Sequence, residues 1–249
     1  NYAIKNMLSN ESMEVLSRPI NLLIFSETNQ YAGEITVDEI WECSVVSKFF
    51  ERKLEKMYSR NIPGYRASVF LNLLSEMAYS IIFSNFSIIE ESEVRKIIEA
   101  RYNTYTSFCE EIITVFLSEH IIIRDNENAR GFRFRHSRFL DYLMAYYCLL
   151  SVSRTNDINS LSRLIEIIFD SKYVLMFNIH DDMLYICNQK FKELFPKLDE
   201  YYSTNAHFMS RKISRLRGEL ANNQKIKDGD IALIYKSVNR RDPELIVEA

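Results

Sequence analysis

Glycine and proline are so scarce in this chain, 5 and 4 of 249 residues, that long loops and glycine-rich phosphate cradles have little material to be built from. Tightly connected helices remain easy to accommodate, and the expected fold class is mainly α. Hydrophobic residues at 47% and charged residues at 26% are the balance of a chain that folds. The length exceeds one typical domain of ~100–200 residues, so two units are the better expectation.

Apolar spacing then divides the chain into elements. Residues 1–16 alternate polar and apolar groups at roughly helical spacing, and Pro19 opens the apolar run Ile20–Phe25. A proline suits the first helical position, where the missing N–H would have no partner. From Val37 to Met57 the positions Ile40, Trp41, Val45, Phe49, Leu54 and Met57 recur three and four apart, which predicts an amphipathic helix capped by Thr36 or Asp38.

Residues 66–150 read as one compact module. Ala67–Phe83 is a helix with the stripe Phe70, Leu73, Leu74, Met77, Ala78 and Ile81. Phe86–Ile89 is a short strand-like link, Glu90–Tyr102 a second helix with acidic residues in its first turn, and Thr104–Glu119 a third. His120–Arg124 and Gly131–His136 are β-rich runs around the turn-prone Asp125–Asn128, hence a hairpin. Ser137–Leu150 returns to helix. Helix, short strand, helix, helix, hairpin is the element order of a winged helix, the hairpin being the wing. Helical patterns follow at 161–169, 177–195 with an interruption, and 205–222, while Ile231–Val238 fits either a helix or an edge strand.

Composition and spacing exclude several functions. A net charge of −3 gives no general attraction to nucleic acid or an anionic membrane. Cys43, Cys109, Cys148 and Cys187 stand far apart, which predicts reduced, buried thiols in a cytosolic protein. Apolar stretches such as Leu143–Val152 reach about half of the ~20 residues a bilayer requires, so no membrane span is expected. The start Asn1-Tyr2-Ala3, without methionine or a signal-peptide pattern, suggests a fragment of a larger intracellular protein.

No GxxxxGK[ST] loop and no GxSxG elbow is present, so no catalytic residue and no ATPase activity are expected of this chain alone. His180-Asp181-Asp182 sets an imidazole beside two carboxylates, but no matching ligands are spaced to complete a metal site. A solvated helix cap is the simpler reading. DNA binding is the serious competitor. However, residues 104–119 carry Glu110, Glu111 and Glu119 and no Lys or Arg, which phosphates would repel. Positive charge gathers instead around the hairpin at Arg124, Arg130, Arg133, Arg135 and Arg138. A basic hairpin beside an acidic helix suits a phosphate ligand or an acidic partner better than duplex DNA, and a merely solvated hairpin remains an alternative.

The most specific string runs from Phe132 to Tyr147, Phe-Arg-Phe-Arg-His-Ser-Arg-Phe-Leu-Asp-Tyr-Leu-Met-Ala-Tyr-Tyr. Phe139, Tyr142, Leu143 and Tyr146 share one helical face, and His136 falls where the last strand meets a helix N-terminus, a place that suits an anion. A capping or core histidine is the alternative. This string resembles the winged-helix segment of NACHT and related STAND NTPases, an aromatic-x-aromatic-x-His followed by x-x-Phe-x-Glu-(Tyr/Phe)-x-x-Ala. Phe132, Phe134, His136, Phe139, Tyr142 and Ala145 match it, while Asp141 stands for the usual Glu and Leu140 for a common Gln. Ser17–Leu23 is similar to the family's x-x-Pro-(Leu/Ile)-x-Leu segment.

The resemblance covers roughly residues 15–150. It implies that His136 touches the β-phosphate of bound ADP, that Pro19 packs near the adenine, and that the P-loop core lies upstream in the same parent chain. The expected division is a helical domain at 1–64, a winged helix at 65–152 and a helical region of unassigned role at 153–249, to which the resemblance assigns nothing. The implied function is regulatory: to close over ADP held by the upstream core, with ADP or ATP bound through that core and none by this part alone. The parent would be a cytoplasmic signalling NTPase able to oligomerise, with no specific DNA or membrane partner; bacterial members often serve in defence against phage. The competing function is a winged-helix transcriptional regulator, and the third is a scaffolding module.

Overall fold

A computed structural model describes residues 15–29, 42–58, 67–84, 88–102, 106–125, 130–161 and 179–201. The fold is mainly helical with one small antiparallel sheet. In chain order the elements are α1 (Pro19–Asn29), α2 (Glu42–Tyr58), α3 (Ala67–Phe83), β1 (Ile89–Glu90), α4 (Glu91–Tyr102), α5 (Thr106–Ser118), β2 (Ile122–Arg124), β3 (Gly131–Phe134), α6 (Ser137–Thr155) and α7 (Ile179–Lys190). A 3₁₀ turn, Lys192–Leu194, follows α7. The expected elements within 1–14, 36–41, 162–178 and 202–249 lie outside the described residues. None of the described helices is long and apolar enough to cross a membrane.

The chain divides into two compact units, residues 1–78 with 88–143, and residues 79–87 with 144–249. In the first, the apolar stripe foreseen for α3 meets α5, where Phe70 sets its ring edge-on to Phe116 at 5.6 Å. Val94 and Ile98 of α4 and Ile112, Ile113 and Phe116 of α5 are fully or almost fully buried. Arg101 of α4 pairs with Glu76 of α3, and Arg95 of α4 with Glu110 of α5.

The sheet order is β1-β3-β2. Ile89 stands opposite Phe132 and Glu90 opposite Gly131, while Ile122, Ile123 and Arg124 face Phe134, Arg133 and Phe132. Along β3 the side chains alternate, with Phe132 and Phe134 buried and Arg133 exposed, the period of a strand with one wet face. Ile89, the last residue of the expected strand-like link, opens the third strand of the hairpin's sheet. The residues of that strand are Ile89 and Glu90, later than expected.

Helix α2 docks on the start of α6 through aromatic rings. Phe139 stacks on Phe49 at 4.8 Å and leans on Phe50 at 5.1 Å, and Phe50 stacks on Tyr142 at 5.5 Å. The buried Tyr142 hydroxyl donates to Ser47 Oγ at 3.1 Å, so the phenol's polar end keeps a partner inside the core. Lys53 of α2 reaches Glu119, just past the C-terminus of α5, at 3.4 Å. Helix α1 packs against α2.

In the second unit, Tyr79 lies between two rings, Tyr147 at 4.4 Å and Phe83 at 5.6 Å. Ile179, Met183, Ile186 and Cys187 form the buried face of α7, and Phe191 meets Tyr146 at 5.6 Å. Helix α6 runs five residues past its expected end at 150, because Val152 continues the buried stripe. It stops at Asn156, whose φ of 54° and N–H bond to the Val152 carbonyl at 2.7 Å form a left-handed cap.

Candidate functional site

His136 occupies the two-residue step between β3 and α6. Strand pairing fixes one side of it, since the Arg135 N–H donates to the Ile121 carbonyl at 3.1 Å, and helix entry fixes the other, since the Phe139 N–H donates to the His136 carbonyl at 3.1 Å. The imidazole is half-buried and meets the Phe139 ring edge-on at 5.1 Å. Among the described residues its nitrogens have no hydrogen-bond partner. Burial pushes its pKa below the ordinary value, the Arg135 guanidinium pushes the same way, and the Glu27 carboxylate opposes them. A neutral ring at pH 7, with one N–H to donate, is the result.

Pro19 is the first residue of α1 and is exposed. It starts the helix as expected, with the Leu22 N–H donating to the Arg18 carbonyl at 3.0 Å. From α1, Glu27 meets the His136 segment, its Oε1 lying 2.9 Å from Arg135 Nη1. Glu27 is eight residues beyond Pro19, roughly 12 Å along the helix at the standard rise.

The hairpin's positive charge is largely matched by carboxylates, which corrects the expectation of a basic patch. Arg124 pairs with Glu91 at 3.1 Å and covers the Phe132 ring at 4.9 Å, Arg133 lies 3.8 Å from Asp125, and Arg138 3.9 Å from Asp141. Glu91 also accepts from Arg95 at 2.6 Å, and these two guanidiniums hold its carboxyl below the usual range. Its backbone N–H donates to the Arg130 carbonyl at 2.8 Å. Helix spacing allows Glu91 with Arg95 and Arg138 with Asp141, but no local pattern could have exposed Arg124 with Glu91 or Arg135 with Glu27, whose partners are far apart in sequence.

The other expected centres read differently in three dimensions. Asp182 is fully buried within α7 and is no solvated helix cap. Among the described residues no group of three or more His, Cys, Asp or Glu could hold a metal ion. All four cysteines are buried, and none of them is in a disulfide. Burial pushes the Cys148 thiol up to about 12 and Cys187 to about 11, so neither provides a thiolate near neutral pH. No family model, no curated protein and no solved structure matches this chain.

Proposed function

We propose that residues 1–249 form the regulatory part of a nucleotide switch of the NACHT/STAND kind, closing over ADP held by an upstream P-loop core in the same parent chain. In this reading α3 to β3 form a winged helix with β2–β3 as its wing, and His136 is the contact to the ADP β-phosphate. The observation that carries it is His136 itself. The aromatic-x-aromatic-x-His string ends at a half-buried, neutral ring that lacks a hydrogen-bond partner among the described residues. A ring in that state has a donor to give to a phosphate oxygen, and the approach of an anion would favour its protonation. Phe139, Tyr142 and Ala145 of the same string are buried, which holds the segment in one conformation.

The test uses the parent protein loaded with ADP. His136→Ala removes a contact of ~1.5–3 kcal/mol, so ADP release is expected to quicken by roughly tenfold to a hundredfold. A core or capping histidine predicts a lower melting temperature with ADP release unchanged. Unchanged ADP retention in a stably folded His136→Ala protein refutes the contact.

A further inference from the structure

We infer that the Glu27–Arg135 ion pair is a latch on the anion contact at His136: while paired, Glu27 withholds Arg135, and once it parts, Arg135 and His136 offer two donors to one phosphate group. The inference rests on reading His136 as a phosphate contact. Arg135 immediately precedes His136 and its backbone is held to Ile121, so its side chain can change partner without moving the strand. Arg124 is held by Glu91, the first residue of α4, which adjoins β1 and is tied to the hairpin by its N–H bond to the Arg130 carbonyl, while Arg133 is held by Asp125 at the hairpin and Arg138 by Asp141 on the helix that follows it. Arg135 differs, because its carboxylate comes from α1. Glu27 can therefore leave without unfolding the hairpin.

Both members of the pair are about one-quarter exposed, 27% and 26%, which leaves the contact open to exchange with a competing anion. The charged groups acting on the imidazole are Arg135 from its own segment and Glu27 from α1. With Glu27 in place an arriving phosphate meets a like charge and an occupied guanidinium. With Glu27 gone it meets a planar fork of donors suited to bidentate contact.

A gain of binding tests this in the full 249-residue chain. Inorganic pyrophosphate is titrated while the His136 ring resonance is followed by NMR, with circular dichroism to confirm folding. The wild-type chain is expected to stay silent at millimolar pyrophosphate, whereas E27Q binds at least about tenfold more tightly. That binding disappears in E27Q/R135Q and weakens in E27Q/H136A. Should E27Q not fold, E27D retains the charge with a shorter reach and is expected to shift affinity in the same direction. No gain in either variant overturns the latch, while the ADP-release measurement still decides the role of His136. Binding gained in E27Q and undiminished by H136A overturns the shared site and, with it, the reading of His136.

Discussion

His120 closes α5 in a backbone conformation that few side chains tolerate, with φ of 56°. The His120 N–H donates to the Leu117 carbonyl and the Ile121 N–H to the Phe116 carbonyl, both at 3.0 Å, which is the paired pattern that ends a helix with a left-handed residue. A β-carbon there is strained by about 1–2 kcal/mol, partly offset in glycine by the greater freedom of its unfolded chain. His120→Gly is therefore expected to stabilise by about 0.5–1 kcal/mol in urea unfolding, and His120→Val to destabilise, because a branched β-carbon fits that region worst. A glycine variant less stable than the parent sequence would contradict the assignment. The same bonds turn the chain from α5 into β2, so this one residue sets where the hairpin begins.

Glu91 does for the hairpin what His120 does for the turn. It starts α4, where a carboxylate also suits the helix dipole, and it gathers Arg95, Arg124 and the carbonyl of Arg130 around one residue. Its carboxyl is held below the ordinary range chiefly by the bond from Arg95. Such a group stabilises fully above the unfolded carboxylate value, ~4.3, and loses that contribution as pH falls through its lower folded value. Glu91→Gln is accordingly expected to cost about 1 kcal/mol at neutral pH. The gap between the two proteins should close on acidification below the carboxylate range, and hydrogen exchange at β2 and β3 should rise in the variant. A gap that persists at low pH would show that Glu91 acts through something other than its charge.

Taken as one molecule, a chain of net charge −3 whose hairpin arginines mostly face carboxylates offers little to a polyanion. Duplex DNA binding is expected to be weak, indifferent to sequence and steeply salt-dependent in an anisotropy titration. Tight, sequence-selective binding that depends on residues 104–119 would instead favour the transcriptional regulator. The absence of a phosphate-cradling loop in the sequence leads to a second expectation, that the isolated chain hydrolyses no ATP above background. Turnover that survives purification and is lost on mutating a residue of this chain would remove the nucleotide-switch reading altogether.

Helix α3 was legible residue for residue, and α4, α5 and the two hairpin strands to within about two residues, because each is written in a local period of apolar side chains. Pro19 marked the start of α1 for a reason equally local, its missing N–H. The junction at His136 could be read because a β-rich run and a helical run meet there. Other features depend on residues that become neighbours only when the chain folds. β1 pairs over just two residues, too few to show a period, and its partner strand lies some forty positions away. Asp182 sits in a polar string that reads as solvated until α7 turns it inward. The carboxylates that answer Arg135 and Arg124 stand on α1 and α4. Ion pairs follow Coulomb's law in space and carry no period along the chain, so the charge of the hairpin was visible in the sequence and its neutralisation arose on folding.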